Sequence, residues 1–170
     1  MKIIKMFLIG ALSLSIAPPT YANFDHDETQ KAMFDLGYQS VYDAIKKSNI
    51  YFKNEIALPV QIPPLPFTHV LGRFNQNKDP KNSSLEIEYL NQNASPYRIT
   101  IFPKKSELQW NYTTQTFILK DGSAAHYFTT KWRNYFYFEQ NKWKYLISVH
   151  PNVSNVVTPE LLVEIANSIY

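Results

Sequence analysis

Trp132-Arg133-Asn134-Tyr135-Phe136-Tyr137-Phe138-Glu139-Gln140-Asn141-Lys142-Trp143-Lys144-Tyr145-Leu146-Ile147-Ser148-Val149 alternates apolar and polar side chains on both sides of a short polar break. Successive side chains of a strand point to opposite faces, so a turn at Gln140-Asn141 folds this stretch into an antiparallel hairpin with two distinct faces. One face pairs Phe138 with Trp143, Phe136 with Tyr145, Asn134 with Ile147 and Trp132 with Val149, and reads as core. The other pairs Glu139 with Lys142, Tyr137 with Lys144, Tyr135 with Leu146 and Arg133 with Ser148, a mixture suited to water. The fold class follows from this: antiparallel β with one buried face.

Working outward, Asp121-Gly122 signals a second hairpin, because this pair readily takes the two positive φ values of a tight turn. Centred there, Leu119 faces Ala124, Phe117 faces His126 and Thr116 faces Tyr127. Leu85-Glu86-Ile87-Glu88-Tyr89 and Tyr97-Arg98-Ile99-Thr100-Ile101-Phe102 alternate strictly and should pair with each other, with Leu85, Ile87, Tyr89, Tyr97, Ile99 and Ile101 inward. Phe67 to Phe74 is a further strand. Leu58 to Pro66 carries four prolines in eight positions, which excludes helix and central strand and leaves an extended connector lying across the domain.

Two helices flank the strands. From Asp27 to Ser48, Met33, Leu36, Val41, Ala44 and Ile45 recur at helical spacing, with Lys46 and Lys47 expected in the last turn. At the other end Thr158 caps, Pro159 takes the first helical position, and Leu161, Leu162, Ile165, Ala166 and Ile169 form an apolar stripe over 158–170. The expected architecture is α+β: a single curved antiparallel sheet of about six strands with an N-terminal and a C-terminal helix packed on it.

The first residues have the order of a secretory leader: basic Lys2 and Lys5, the apolar run Met6 to Ala17, then Pro18-Pro19-Thr20-Tyr21-Ala22. Cleavage near Ala22 would leave 148 of 170 residues, the size of one ordinary domain. Without Lys2 and Lys5, 15 basic residues face 14 acidic ones, a net charge of +1, which argues against nucleic acid as a partner. The mature chain has no second apolar stretch of spanning length and no cysteine for a disulfide or a lipid anchor. The expected product is secreted or peripheral.

The sequence lacks the usual signatures of catalysis. Cysteine nucleophiles are excluded, there is no Gly-x-Ser-x-Gly elbow and no His-Glu-x-x-His, and only three glycines follow residue 22. Asp25-His26-Asp27-Glu28 is rich in metal-capable groups but reads as a solvated tail, and His69, His126 and His150 as structural histidines, so no metal and no cofactor are expected. Asn-x-Ser/Thr triplets at Asn82, Asn93, Asn111 and Asn152 read as chance in an asparagine-rich chain.

Tyr127, Tyr135 and Tyr137 with the interleaved Arg133 and Lys144 are expected on the outer faces of adjacent hairpins and are the candidate binding residues. The alternative is that these tyrosines are strand formers partly covered by the N-terminal helix or the proline segment.

The proline-punctuated stretch Leu58-Pro59 to Pro66, the strand from Trp143 through Tyr145 to Ser148, and the closing Thr158-Pro159-Glu160-Leu161-Leu162 with Ile165-Ala166-Asn167-Ser168-Ile169 resemble the domain-of-unknown-function 4367 family over about residues 56–170. The resemblance implies an exported or membrane-anchored domain of Gram-positive bacteria, more distantly similar to the half-barrel sheets of lipoprotein carriers, and brings no catalytic residues. Residues and resemblance together point to a secreted, non-enzymatic binding or accessory domain facing a cell-envelope component or protein. Two rivals stand beside it: an enzyme with an acid-base site from Glu86, Glu88 or His126, and an inhibitor that pairs through its sheet edge.

Overall fold

The structure is a computed structural model that describes residues 26–91, 94–109, 111–112 and 114–170, without the side chains of residues 26, 27, 94 and 95. The leader reading of residues 1–22 and the Asn93 triplet lie outside the described residues. Helices α1 (His26–Asp35) and α2 (Val41–Phe52) precede strands β1 (His69–Asn75), β2 (Ser84–Asn91), β3 (Ala94–Pro103), β4 (Gln115–Ile118), β5 (Ala124–Thr129), β6 (Asn134–Gln140) and β7 (Trp143–Val149); α3 (Pro159–Ala166) closes the chain. The seven strands form one antiparallel sheet in the order β1-β2-β3-β7-β6-β5-β4. The fold is thus α+β around one open sheet, with a strand more than the six or so expected.

Alternation writes the core across the sheet in rows of register partners. One row runs Phe74, Leu85, Ile101, Tyr145, Phe138, Ala125 and Phe117, and the next Gly72, Ile87, Ile99, Ile147, Phe136 and Tyr127. Leu85, Ile87, Ile99, Ile101, Phe136, Phe138 and Ile147 are wholly buried. Each such side chain contributes about 1.5–3 kcal/mol by leaving water. Leu162, Ile165, Ala166 and Ile169 join this core from α3, whose first turn is held by Thr158 accepting a hydrogen bond from the Leu161 amide. The helix proper ends at Ala166, short of the expected 170.

The connector also packs on the core face, through Ile56, Leu58, Leu65 and Phe67. Trp143 donates its indole N–H to the Glu55 carbonyl at 2.9 Å, and Tyr145 its hydroxyl to the Ala57 carbonyl at 3.0 Å. Two large core side chains thereby satisfy their polar ends on the strap that covers them.

Turn chemistry corrects three readings of register. In the β4–β5 hairpin the Gly122 amide bonds the Leu119 carbonyl, Gly122 takes φ 83°, and Asp121 accepts from the Ser123 amide. A three-residue loop with glycine in the left-handed position results, and Phe117 faces Ala125 in place of His126. In the β6–β7 hairpin Asn141, at φ 53°, starts the turn one residue later than read, so Phe138 faces Tyr145 and Phe136 faces Ile147. That two-residue shift of partners leaves the faces unchanged. Trp132, expected in the core, is 73% exposed, because Thr130 closes a turn on Arg133 through its amide and its hydroxyl and β6 begins only at Asn134.

The single N-terminal helix expected over 27–48 is two helices. Gly37 at φ 86° ends the first and Ser40 caps the second by accepting from the Asp43 amide. Because α2 continues to Phe52, Lys46 and Lys47 sit in mid-helix. Between the helices Gln39 exchanges both backbone hydrogen bonds with Gly72 on β1, at 2.8 and 2.9 Å. The chain crosses the sheet edge there: Ala44 of α2 packs in the main core, while Tyr38 joins Leu71 and Leu90 in a small cluster on the opposite face.

A Cβ at Gly72 would stand 2.6 Å from the Ala44 Cβ, a fixed atom, whereas one at Gly122 would meet nothing within 4 Å. Gly72→Ala should therefore cost about 1–3 kcal/mol by overpacking. Gly122→Ala should cost about 1 kcal/mol through its positive φ alone. Urea unfolding of both variants checks this; a smaller loss at Gly72 than at Gly122 would contradict the close approach of α2 to β1.

Candidate functional site

The face opposite the core is not the plain wet surface that its alternation suggests. Two rows of register partners cross it: Leu71, Glu88, Arg98, Ser148, Tyr135 and Phe128, and beside it Arg73, Glu86, Thr100, Leu146, Tyr137 and His126. At the β1–β3 end Glu86 and Glu88 are buried, Glu88 to 1% exposure. A buried carboxylate is costly unless paired, and here both are paired. Arg73 donates to Glu86 at 3.3 Å, Arg98 donates through Nε to Glu88 and lies 3.6 Å from Glu86, and Tyr38 donates its hydroxyl to Glu86 with Glu88 at 3.4 Å. The Arg73 guanidinium also lies 4.5 Å above the Tyr38 ring.

Electrostatics confirm how enclosed this cluster is. Burial pushes the Glu88 carboxyl above its ordinary value against the opposing pull of Arg98. Burial raises the Tyr38 phenol, and its hydrogen bond to Glu86 adds to the rise. Burial lowers the Arg133 guanidinium, and the like charge of Arg98 adds to that shift. Three arginines thus gather around two glutamates on one sheet face, an excess of one positive charge.

At the β5–β6 end the same face becomes aromatic. The Tyr112 ring stacks on Phe128 at 5.2 Å and 8°, Phe128 on Tyr135 at 5.0 Å and 18°, and His126 on Tyr137 at 6.3 Å and 16°. Tyr137 donates to Glu139 at 2.7 Å, and Lys144 donates to the Ser106 carbonyl at 2.8 Å. Ser106 and Tyr112, both beyond β3, therefore meet this face, on which Tyr135 and Tyr137 are half-buried and Tyr112 is 53% exposed.

Of the five sequence-predicted binding residues, the structure brings Arg133, Tyr135, Tyr137 and Lys144 to one face. Tyr127 departs from the expectation. It stands opposite Phe136 and packs on the core side, because the glycine loop at Gly122 puts it in step with Ala125. Glu86, Glu88 and His126, the proposed acid-base set, share a face without converging. Glu86 and His126 are four strands apart, about 19 Å at the spacing of paired strands. Among the described residues no three His, Cys, Asp or Glu side chains form a group able to hold a metal ion, and no helix is long and apolar enough to cross a membrane.

Comparison with family models, curated proteins and solved structures found no match to this chain. The resemblance to the domain-of-unknown-function 4367 family therefore rests on its motifs alone.

Because Glu88 is held above its unfolded value, its contribution to stability is fullest below that value, near pH 4.5, and falls as the pH rises through the raised one. The stability difference between the native chain and Glu88→Gln should thus move in favour of the variant from about pH 4 to neutrality. Denaturant midpoints across that range test it; a flat difference, or one moving the other way, would mean that the Arg98 pairing outweighs burial.

Proposed function

We propose that this chain is a secreted, non-enzymatic binding domain of a Gram-positive cell envelope, and that its curved sheet presents the aromatic and arginine-rich face to an envelope component. The single observation that carries the reading is the stacked row Tyr112, Phe128, Tyr135, with Tyr137 and His126 alongside, on the face that α2, α3 and the connector leave uncovered. Preorganised rings with polar tips lose little conformational entropy on binding. The leader-like N-terminus and the family resemblance support placement outside the cell.

The non-enzymatic part of the proposal is supported by the separation of Glu86 from His126 and by the way both buried glutamates are consumed in ion pairs. A general base must reach a substrate proton, and Glu88 at 1% exposure has no path to one.

The test is co-sedimentation of the chain with purified cell-wall sacculi, native against the double variant Tyr135→Ser/Tyr137→Ser. Loss of two half-buried stacked rings from a recognition surface typically costs about 2 kcal/mol or more, so the double variant should bind at least about 30-fold more weakly. Its thermal transition should stay cooperative. Equal binding by both chains would remove the tyrosine face from the account.

A further inference from the structure

A second site lies away from that face, at the end of the sheet where α2 ends and the β6–β7 turn protrudes. It is a cleft of about 370 Å³, within the range of small-ligand sites. Its floor is apolar: Trp143, Phe52 set edge-on to it at 5.1 Å and 71°, and Pro103. Its rim carries Lys104, Lys105 and Lys142, and no carboxylate lines it.

The charge around the cleft is one-sided. Lys142 reaches Asn54, Lys104 lies 3.4 Å from Glu139, and Lys105 forms no ion pair among the described residues. Exposed Lys53 and Lys81 adjoin the lining residues Asn54 and Pro80 in sequence. Acids stand nearby without lining the cleft: Glu139, shared between Lys104 and Lys144, Asp79, which accepts from the Lys81 amide, the exposed Glu55 and Glu107, and Tyr170, which lines the adjoining pocket. Of the twelve lysines that follow residue 22, three line this cleft and two more adjoin its lining residues in sequence.

An apolar floor under three ammonium groups suits an anion joined to an apolar body. We propose that this cleft binds the phosphate headgroup of an anionic phospholipid in a membrane, with the lysines on the phosphate and the ring-lined floor on the first carbons of the lipid. A soluble anion would leave the apolar floor unused. Lysines near an anionic bilayer surface each strengthen association about fivefold, so three acting together give about 100-fold. The cleft and the tyrosine face share no lining residue, although Lys104 and Tyr137 both hold Glu139, and the proposal does not depend on the reading given to that face.

The experiment is vesicle co-sedimentation of the chain starting at Asn23, at low salt, with phosphatidylcholine vesicles and with vesicles containing phosphatidylglycerol. Binding is expected only to the anionic vesicles, with a partition coefficient about 100-fold lower for Lys104→Gln/Lys105→Gln/Lys142→Gln. The charge-matched control Lys31→Gln/Lys46→Gln/Lys47→Gln, three exposed lysines of α1 and α2, should bind to within a few-fold of the native chain, and so should Tyr135→Ser/Tyr137→Ser. Cooperative melts confirm that each variant is folded. The proposal is overturned by equal binding to both vesicle types, by an equal loss in the charge-matched control, or by glycerol phosphate perturbing the Trp143 fluorescence of a Trp110→Phe/Trp132→Phe chain that ignores vesicles.

Discussion

The structure depends on the pairing of β3 with β7. Every other ladder in the sheet joins strands that follow one another in the chain, whereas this one joins residues 97–103 to 143–149 and turns two meanders into one sheet. Its register, Ile99 on Ile147 and Ile101 on Tyr145, aligns the core rows of both halves, so that α3 and the connector cover one continuous apolar surface. A one-residue slip would place half of the core side chains in water. Closing a loop of some forty residues costs entropy that only the burial on both sides of the seam offsets.

The same seam organises the opposite face. It sets Arg98 beside Ser148 and so brings the charged end of the first meander against the aromatic end of the second. The glutamates, placed outward by alternation, are closed over by Tyr38 as the chain crosses the β1 edge at Gln39. Removing one partner of such a pair leaves an uncompensated buried charge and costs several kcal/mol, which makes the cluster a constraint on the α1–α2 crossing as much as on the sheet.

Side-chain period made the faces of the sheet readable: Leu85, Ile87, Tyr89, Tyr97, Ile99 and Ile101 are buried as their alternation requires. Register was less readable, because it is set by a few turn torsions. Gly122 and Asn141 at positive φ decide it, and with it the side on which Tyr127 stands. The break at Gly37 was visible as a lone glycine in a helical pattern, yet the apolar spacing on either side hid it. The Glu86–Glu88 cluster had no local signal, because Arg73, Arg98 and Tyr38 come from other elements and Glu-x-Glu in a strand reads as solvated. The lysine-rimmed cleft was equally hidden, since its lining comes from four separate parts of the chain.

The central claim is the β3–β7 register, and a cysteine-free chain allows a direct test. Thr100 and Leu146 face each other across the seam on the polar side, so the double variant Thr100→Cys/Leu146→Cys should close an intramolecular disulfide under mild oxidation of the folded protein. The register-shifted pair Thr100→Cys/Ser148→Cys should remain reduced under the same conditions. Closure of the shifted pair in preference to the facing one, or of neither, would contradict the account.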